Sequence, residues 1–158
     1  MAVAIFMAGV TLGGFLAVGS GVRSHTPLPR SVTAPPASIQ AAYPAEVVRV
    51  IDGDTFEARV KVWPGMEAVT RVRLRGVDAP EMKARCEDER VKALAAKDAL
   101  TRMLDEGAVG LTNVKQDKYG GRVDADASAA NTRDIGEALV ALGLAPRYDG
   151  GRRQSWCD

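Results

Sequence analysis

Phe56, Ala58, Val60 and Val62 interleave with Glu57, Arg59 and Lys61. A period of two sends one set of side chains to a buried face, so this stretch predicts a half-buried strand. The apolar run Val47–Ile51 predicts another short strand, separated from it by the turn signal Asp52-Gly53-Asp54. A second turn is expected over 64–69, beginning at Pro64-Gly65, after which Val72 and Leu74 alternate with Arg71, Arg73 and Arg75. Residues 87–106 change period: they lack Gly and Pro and are rich in Ala, Leu, Lys and Glu, which predicts a helix. Its apolar face is Ala93, Ala96, Leu100, Met103 and Leu104, with Asp98 and Arg102 opposite. Glu87, Asp88 and Glu89 suit the positive end of its dipole, and Gly107 suits its stop. Val109–Val114 returns to strand, 117–121 turns, and Val123, Ala125 and Ala127 alternate with Arg122, Asp124 and Asp126. A second helix follows, with Ile135, Leu139 and Leu142 at core spacing and Gly143 ending it. Three strands, a helix, two strands and a helix predict a mainly β (α+β) small barrel rather than a parallel sheet.

The pattern is different upstream. Residues 1–22 carry no charged side chain, and at about 1.5 Å per residue they would span about 33 Å, one hydrocarbon core. They read as a signal peptide or membrane anchor, with Arg23 and Arg30 as the nearest positive charges. Residues 23–44 hold five prolines among small polar residues and read as a linker, leaving 45–158 as the globular domain. The expected location is exported (periplasmic or secreted) or membrane-anchored by the N-terminus.

Composition narrows the chemistry. With 21 Lys+Arg against 20 Asp+Glu over 158 residues, the formal charge is +1, and no basic excess argues for nucleic acid. The single histidine, His25, falls in the linker, which argues against Ser–His–Asp and Cys–His nucleophiles and against zinc sites needing two histidines. Any catalysis therefore falls to carboxylates and arginines. Two cysteines, Cys86 and Cys157, together with an export-like N-terminus favour a disulfide over two unpaired thiols.

Three segments concentrate such residues. Ile51-Asp52-Gly53-Asp54-Thr55 sets two carboxylates astride a glycine, able to offer oxygens to a hard cation; the plainer reading is a hairpin turn. In Arg73-Leu74-Arg75-Gly76-Val77-Asp78-Ala79-Pro80-Glu81, Asp78 can join Asp54 on a metal. Glu81 can deprotonate a water there, and Arg73 can grip phosphate oxygens; the plainer reading is a solvated strand face ending in a Pro turn. Asp117–Arg122 offers Lys118, Tyr119 and Arg122 around a pair of glycines, or else a simple hairpin with Arg122 paired to Asp124.

In this order, these segments and Glu137-Ala138-Leu139-Val140 with Gly143-Leu144-Ala145 resemble the staphylococcal nuclease (thermonuclease) family over roughly 45–148. The resemblance implies a five-stranded OB-fold barrel with a long helix between strands 3 and 4 and a second helix after strand 5. It implies Ca2+-dependent endonucleolytic hydrolysis of DNA and RNA to 3′-phosphate ends. By that resemblance Asp54, Asp78 and the main-chain carbonyl of Ala79 look like calcium ligands, with Asp52 as a supporting carboxylate. Glu81 looks like the general base, Arg73 and Arg122 like the two phosphate-binding arginines, and Lys118 and Tyr119 like contacts to a neighbouring phosphate. Three departures stand out. Ala79 replaces a threonine, and Gly121 moves Arg122 one position along, which flips a strand side chain unless a bulge absorbs the extra residue. The family's basic C-terminal helix finds no match in 149–158. Nucleic acid is the expected partner, as substrate of a monomer tethered, if at all, through residues 1–22. The competing reading is an inactive OB-fold module that binds nucleic acid or protein.

Overall fold

The structure is a computed structural model that describes residues 42–118 and 120–157. The expected signal or anchor segment, His25, nearly all of the linker and Tyr119 lie outside the described residues. Five strands and two helices follow in the order β1 (Tyr43–Asp52), β2 (Thr55–Trp63), β3 (Met66–Leu74), α1 (Glu87–Leu104), β4 (Val109–Gln116), β5 (Arg122–Ser128) and α2 (Ile135–Ala141). The strands close into a barrel in the order β1-β2-β3-β5-β4. All pairs are antiparallel except β3 with β5, which run parallel and set Arg71 opposite Arg122 and Arg73 opposite Asp124. The expected five-stranded OB-type barrel, with one helix after strand 3 and one after strand 5, is the fold found.

The alternation seen in the sequence is the inside–outside pattern of this barrel. Phe56, Ala58, Val60, Val72, Leu74, Val109, Leu111, Ala125 and Ala127 are buried. Three of them are alanines, which suits an interior this narrow. Ala96, Ala99, Leu100, Met103 and Leu104 of α1 join the same core, as do Ile135 and Leu139 of α2. Asp134 starts α2 by accepting the Glu137 N–H through its side chain, 3.0 Å away.

Three local expectations are corrected, and one strand is found where expected but irregular. β1 begins at Tyr43, inside the stretch read as linker, because pairing of Tyr43–Ala45 with β4 overrides its prolines and small residues. The second turn is confined to Pro64-Gly65, with Gly65 at φ 78°, and β3 starts at Met66 rather than after residue 69. Val47–Ile51 does not alternate because β1 is irregular there: its register against β2 shifts between Val47 and Arg49 and again between Val50 and Asp52. Leu142 is exposed rather than in the core, since α2 ends at Ala141 and Leu142 is its C-cap.

Candidate active site

The β1–β2 turn and the loop after β3 meet beneath α1. Gly53 is required there by space rather than by conformation: a Cβ would lie 2.6 Å from Ala96 Cβ and 2.8 Å from Ala79 Cβ. Its absence lets the turn nestle between helix and loop, and the main-chain bond Leu74 N–H to Asp54 O (2.8 Å) ties the turn to β3. Asp52, Asp54 and Asp78 thereby come together in a partly enclosed place.

Asp54 is almost fully buried. Its two carboxylate oxygens accept from Thr55 Oγ1 (2.8 Å), the Ala79 N–H (3.2 Å) and Arg73 Nη2 (3.1 Å). The same Arg73 nitrogen reaches Asp78 Oδ1 at 3.2 Å, so one guanidinium, itself only 12 % exposed, bridges the two carboxylates. Burial pushes the Asp78 carboxyl above the usual range, with Arg153 and Arg73 opposing and Asp54 and Glu81 reinforcing that shift. Asp52 lies behind the pair. Burial, then the charges of Asp54 and Glu81, push its carboxyl up to about 6 against the opposing fields of Lys97 and Arg73. Among the described residues, Asp52 Oδ1 is a buried side-chain oxygen that receives no hydrogen bond.

Glu81 stands at the exposed rim, 48 % accessible, and is paired with Arg153. Arg153 also places Nε 3.0 Å from Asp78 Oδ1, the oxygen that Arg73 already holds. A cleft of about 1060 Å³ opens beside them, lined by Arg73, Lys118, Arg122, Tyr148 and Arg153 among others.

The extra glycine before Arg122 is taken up in the turn. Gly120 and Gly121 both have left-handed backbones (φ 69° and 67°), and the turn closes through Gly120 N–H to Asp117 O (3.1 Å) and Asp117 N–H to Arg122 O (3.2 Å). Ala125 and Ala127 point inward, so Arg122 lies on the outer face of β5, as Arg73 does on β3 between the buried Val72 and Leu74. Arg122 pairs with Asp117.

The fold therefore brings Asp52, Asp54, Asp78, Ala79, Glu81 and Arg73 into one place, with Arg122 and Lys118 across the adjoining cleft. Sequence reasoning missed Arg153. The signal was present: Arg153 just precedes Cys157 and Glu81 just precedes Cys86, so joining the cysteines draws the arginine toward the carboxylate. The structure joins them as a disulfide, with Cα atoms 6.0 Å apart.

The class this defines is a closed OB-type barrel whose buried carboxylates are bridged by an arginine, beside a cleft lined by charged side chains of both signs. The sequence model of the staphylococcal nuclease homologue family matches residues 71–155, more than half of the chain, and the chain belongs to that family. The match takes in Arg73, Asp78, Glu81 and Arg122 and runs on through Arg153, whereas Asp52 and Asp54 precede it. Among curated proteins, none matches the chain significantly.

Proposed function

We propose that the protein is a Ca2+-dependent endonuclease that hydrolyses phosphodiester bonds in DNA, and in RNA, to leave 3′-phosphate ends. The observation that carries this reading is the bridging of Asp54 and Asp78 by Arg73, beside an exposed Glu81 and a cleft lined by further cations.

The donor set fits a hard divalent cation: it is all oxygen, largely dehydrated, and includes in Asp52 Oδ1 an atom that receives no hydrogen bond. Asp54, Asp78 and the Ala79 carbonyl would hold the ion, with Asp52 supporting them from behind. A bound calcium supplies Lewis-acid polarisation of a phosphoryl oxygen and neutralises charge there. Glu81, open to solvent, takes a proton from the attacking water. The water oxygen bonds to phosphorus, the bond to the 5′ oxygen breaks, and that oxygen takes a proton from solvent water to leave as the 5′ hydroxyl. Arg73 and Arg122 donate to the phosphoryl oxygens as charge accumulates on them, which planar guanidinium forks do in two directions at once. Lys118, with Tyr119, holds the neighbouring phosphate. The Cys86–Cys157 bond supports export, because disulfides persist in oxidising compartments.

Digestion of plasmid and single-stranded DNA by the pure, oxidised protein tests this. Cleavage in Ca2+ that stops with chelator, yielding 3′-phosphate ends, is the expected result. Absence of cleavage in Ca2+ would overturn it in favour of a binding barrel.

A further inference from the structure

Beyond α2 the chain forms a strap across the mouth of the site. Its near end is fixed by main-chain bonds, Asp78 N–H to Pro146 O (3.1 Å) and Tyr148 N–H to Gly76 O (2.8 Å), around a bridge between Val77 and Arg147. Gly150 and Gly151 then bend it through left-handed conformations (φ 102° and 94°), and Tyr148 Oη donates to Gly151 O at 2.8 Å. Its far end is fixed to α1, where Lys92 Nζ lies 5.7 Å from the Trp156 ring and Cys157 is bonded to Cys86 at the helix N-cap. Between these fastenings, the side chain of Arg153 turns into the site.

Its guanidinium is divided between Asp78 Oδ1 (Nε, 3.0 Å) and Glu81 Oε1. Since Arg73 Nη2 approaches the same Asp78 oxygen at 3.2 Å, two guanidiniums converge on one buried atom. Like charges gather so closely only around a shared anion. A cation bound by Asp54 and Asp78 takes that oxygen from both, leaving Arg153 held by Glu81 alone and both guanidiniums with donors released beside the ion. That arrangement suits a tetrahedral phosphate. Arg153 is also placed to reach a ligand: it is 45 % exposed and lines both the cationic cleft and a second hollow of about 1110 Å³ that holds Asp78 and Glu81.

We propose that Arg153 is a third phosphate-binding arginine of the site, carried into place by the disulfide-fastened strap and held by Asp78 and Glu81 until a cation and substrate arrive. The proposal rests on the nuclease reading for its substrate, so its test uses a ligand with no diester to cleave. Thymidine 3′-phosphate binding in saturating Ca2+, and Ca2+ binding without nucleotide, are measured by calorimetry at fixed ionic strength. The proteins are wild type, R153A, R153K, the neighbouring charge control R152A, and the C86S/C157S double variant.

R153A is expected to weaken nucleotide binding about tenfold, with R153K recovering only part. Ca2+ affinity should hold or rise, because a competitor for Asp78 is gone. R152A should change nucleotide binding less than about twofold. C86S/C157S should follow R153A, and in cleavage assays R153A should raise KM. Wild-type nucleotide affinity in R153A, or equal losses in R153A and R152A, overturns the proposal. Loss of Ca2+ and nucleotide binding together in R153A also overturns it, since that marks a structural role, and tighter nucleotide binding marks a plug. If the wild type binds the nucleotide in an Arg153-dependent way yet cleaves nothing, the nuclease reading falls and this one stands.

Discussion

Asp52 is the least comfortable residue of the site: a carboxylate under a turn, facing two other acids, with one oxygen that receives no hydrogen bond. Its folded-state pKa near 6 lies above the ordinary 3.8, so the folded protein holds this proton more tightly than the unfolded chain does. The associated stability is complete below about pH 4 and is lost as pH rises toward 6 and beyond. In chelator, Asp52→Asn should therefore gain on the wild type by about 1–3 kcal/mol between pH 4 and pH 7. Urea titrations across that range measure it, and a difference that does not change with pH would show that Asp52 is not the group responsible. Glu81 differs in being solvated and paired with an exposed arginine, which fits a proton carrier rather than a buried ligand. Glu81→Gln should lower kcat by about 10²–10⁴-fold with Ca2+ affinity little changed. Near-normal turnover in single-turnover assays would remove it as the base. Arg73→Lys should not support normal turnover, because an ammonium can stand between two carboxylates but cannot also offer a phosphoryl group a planar two-pronged contact; kcat measured in saturating Ca2+ checks it.

Among the elements, the β1–β2 turn ties sequence to site most directly. Asp-Gly read there as a conformational signal, but Gly53 has no left-handed backbone; it is small because Ala96 of α1 and Ala79 of the acidic loop press on it. Gly53→Ala should destabilise the protein by about 1–3 kcal/mol and weaken Ca2+ binding by moving Asp52 and Asp54. Thermal melts with and without Ca2+ check both effects, and unchanged Ca2+ affinity would mean that the turn yields without disturbing its carboxylates. That contrast shows what was legible beforehand. Alternation along β2, β3 and β5 and the apolar face of α1 were plain, because each is a local period imposed by burial. The register shifts of β1 and the pairing of Tyr43 with β4 depend on partners distant in sequence, and no local pattern announces them. The acidic loop could be found because Asp54, Asp78 and Glu81 sit in compact motifs. Arg153 sits in no motif, and its only signal was indirect, through the expected pairing of Cys86 with Cys157 across 71 positions.

At the scale of the whole molecule, a formal charge of +1 gives little general attraction to nucleic acid. Binding should instead come from a few of the cations lining the cleft, above all Arg73, Lys118, Arg122 and Arg153. For single-stranded DNA the slope of log K against log salt is then expected at roughly −2 to −3. Titrating a labelled oligonucleotide at increasing KCl, with Ca2+ and at a temperature where cleavage is slow, measures it; a slope steeper than about −5 would mean that surface outside the cleft takes part. The barrel's closure carries a further implication, for the order in which the chain is made. β1 and β3 wait for β4 and β5 to complete their pairing, and Cys86 waits for Cys157. A ribosome-bound chain thus displays Asp52, Asp54, Asp78 and Glu81 before Lys118, Arg122 or Arg153 has been synthesised. Arg73 is made alongside those carboxylates and is their only partner from the site until the closing segment brings Arg153 to Asp78 and Glu81.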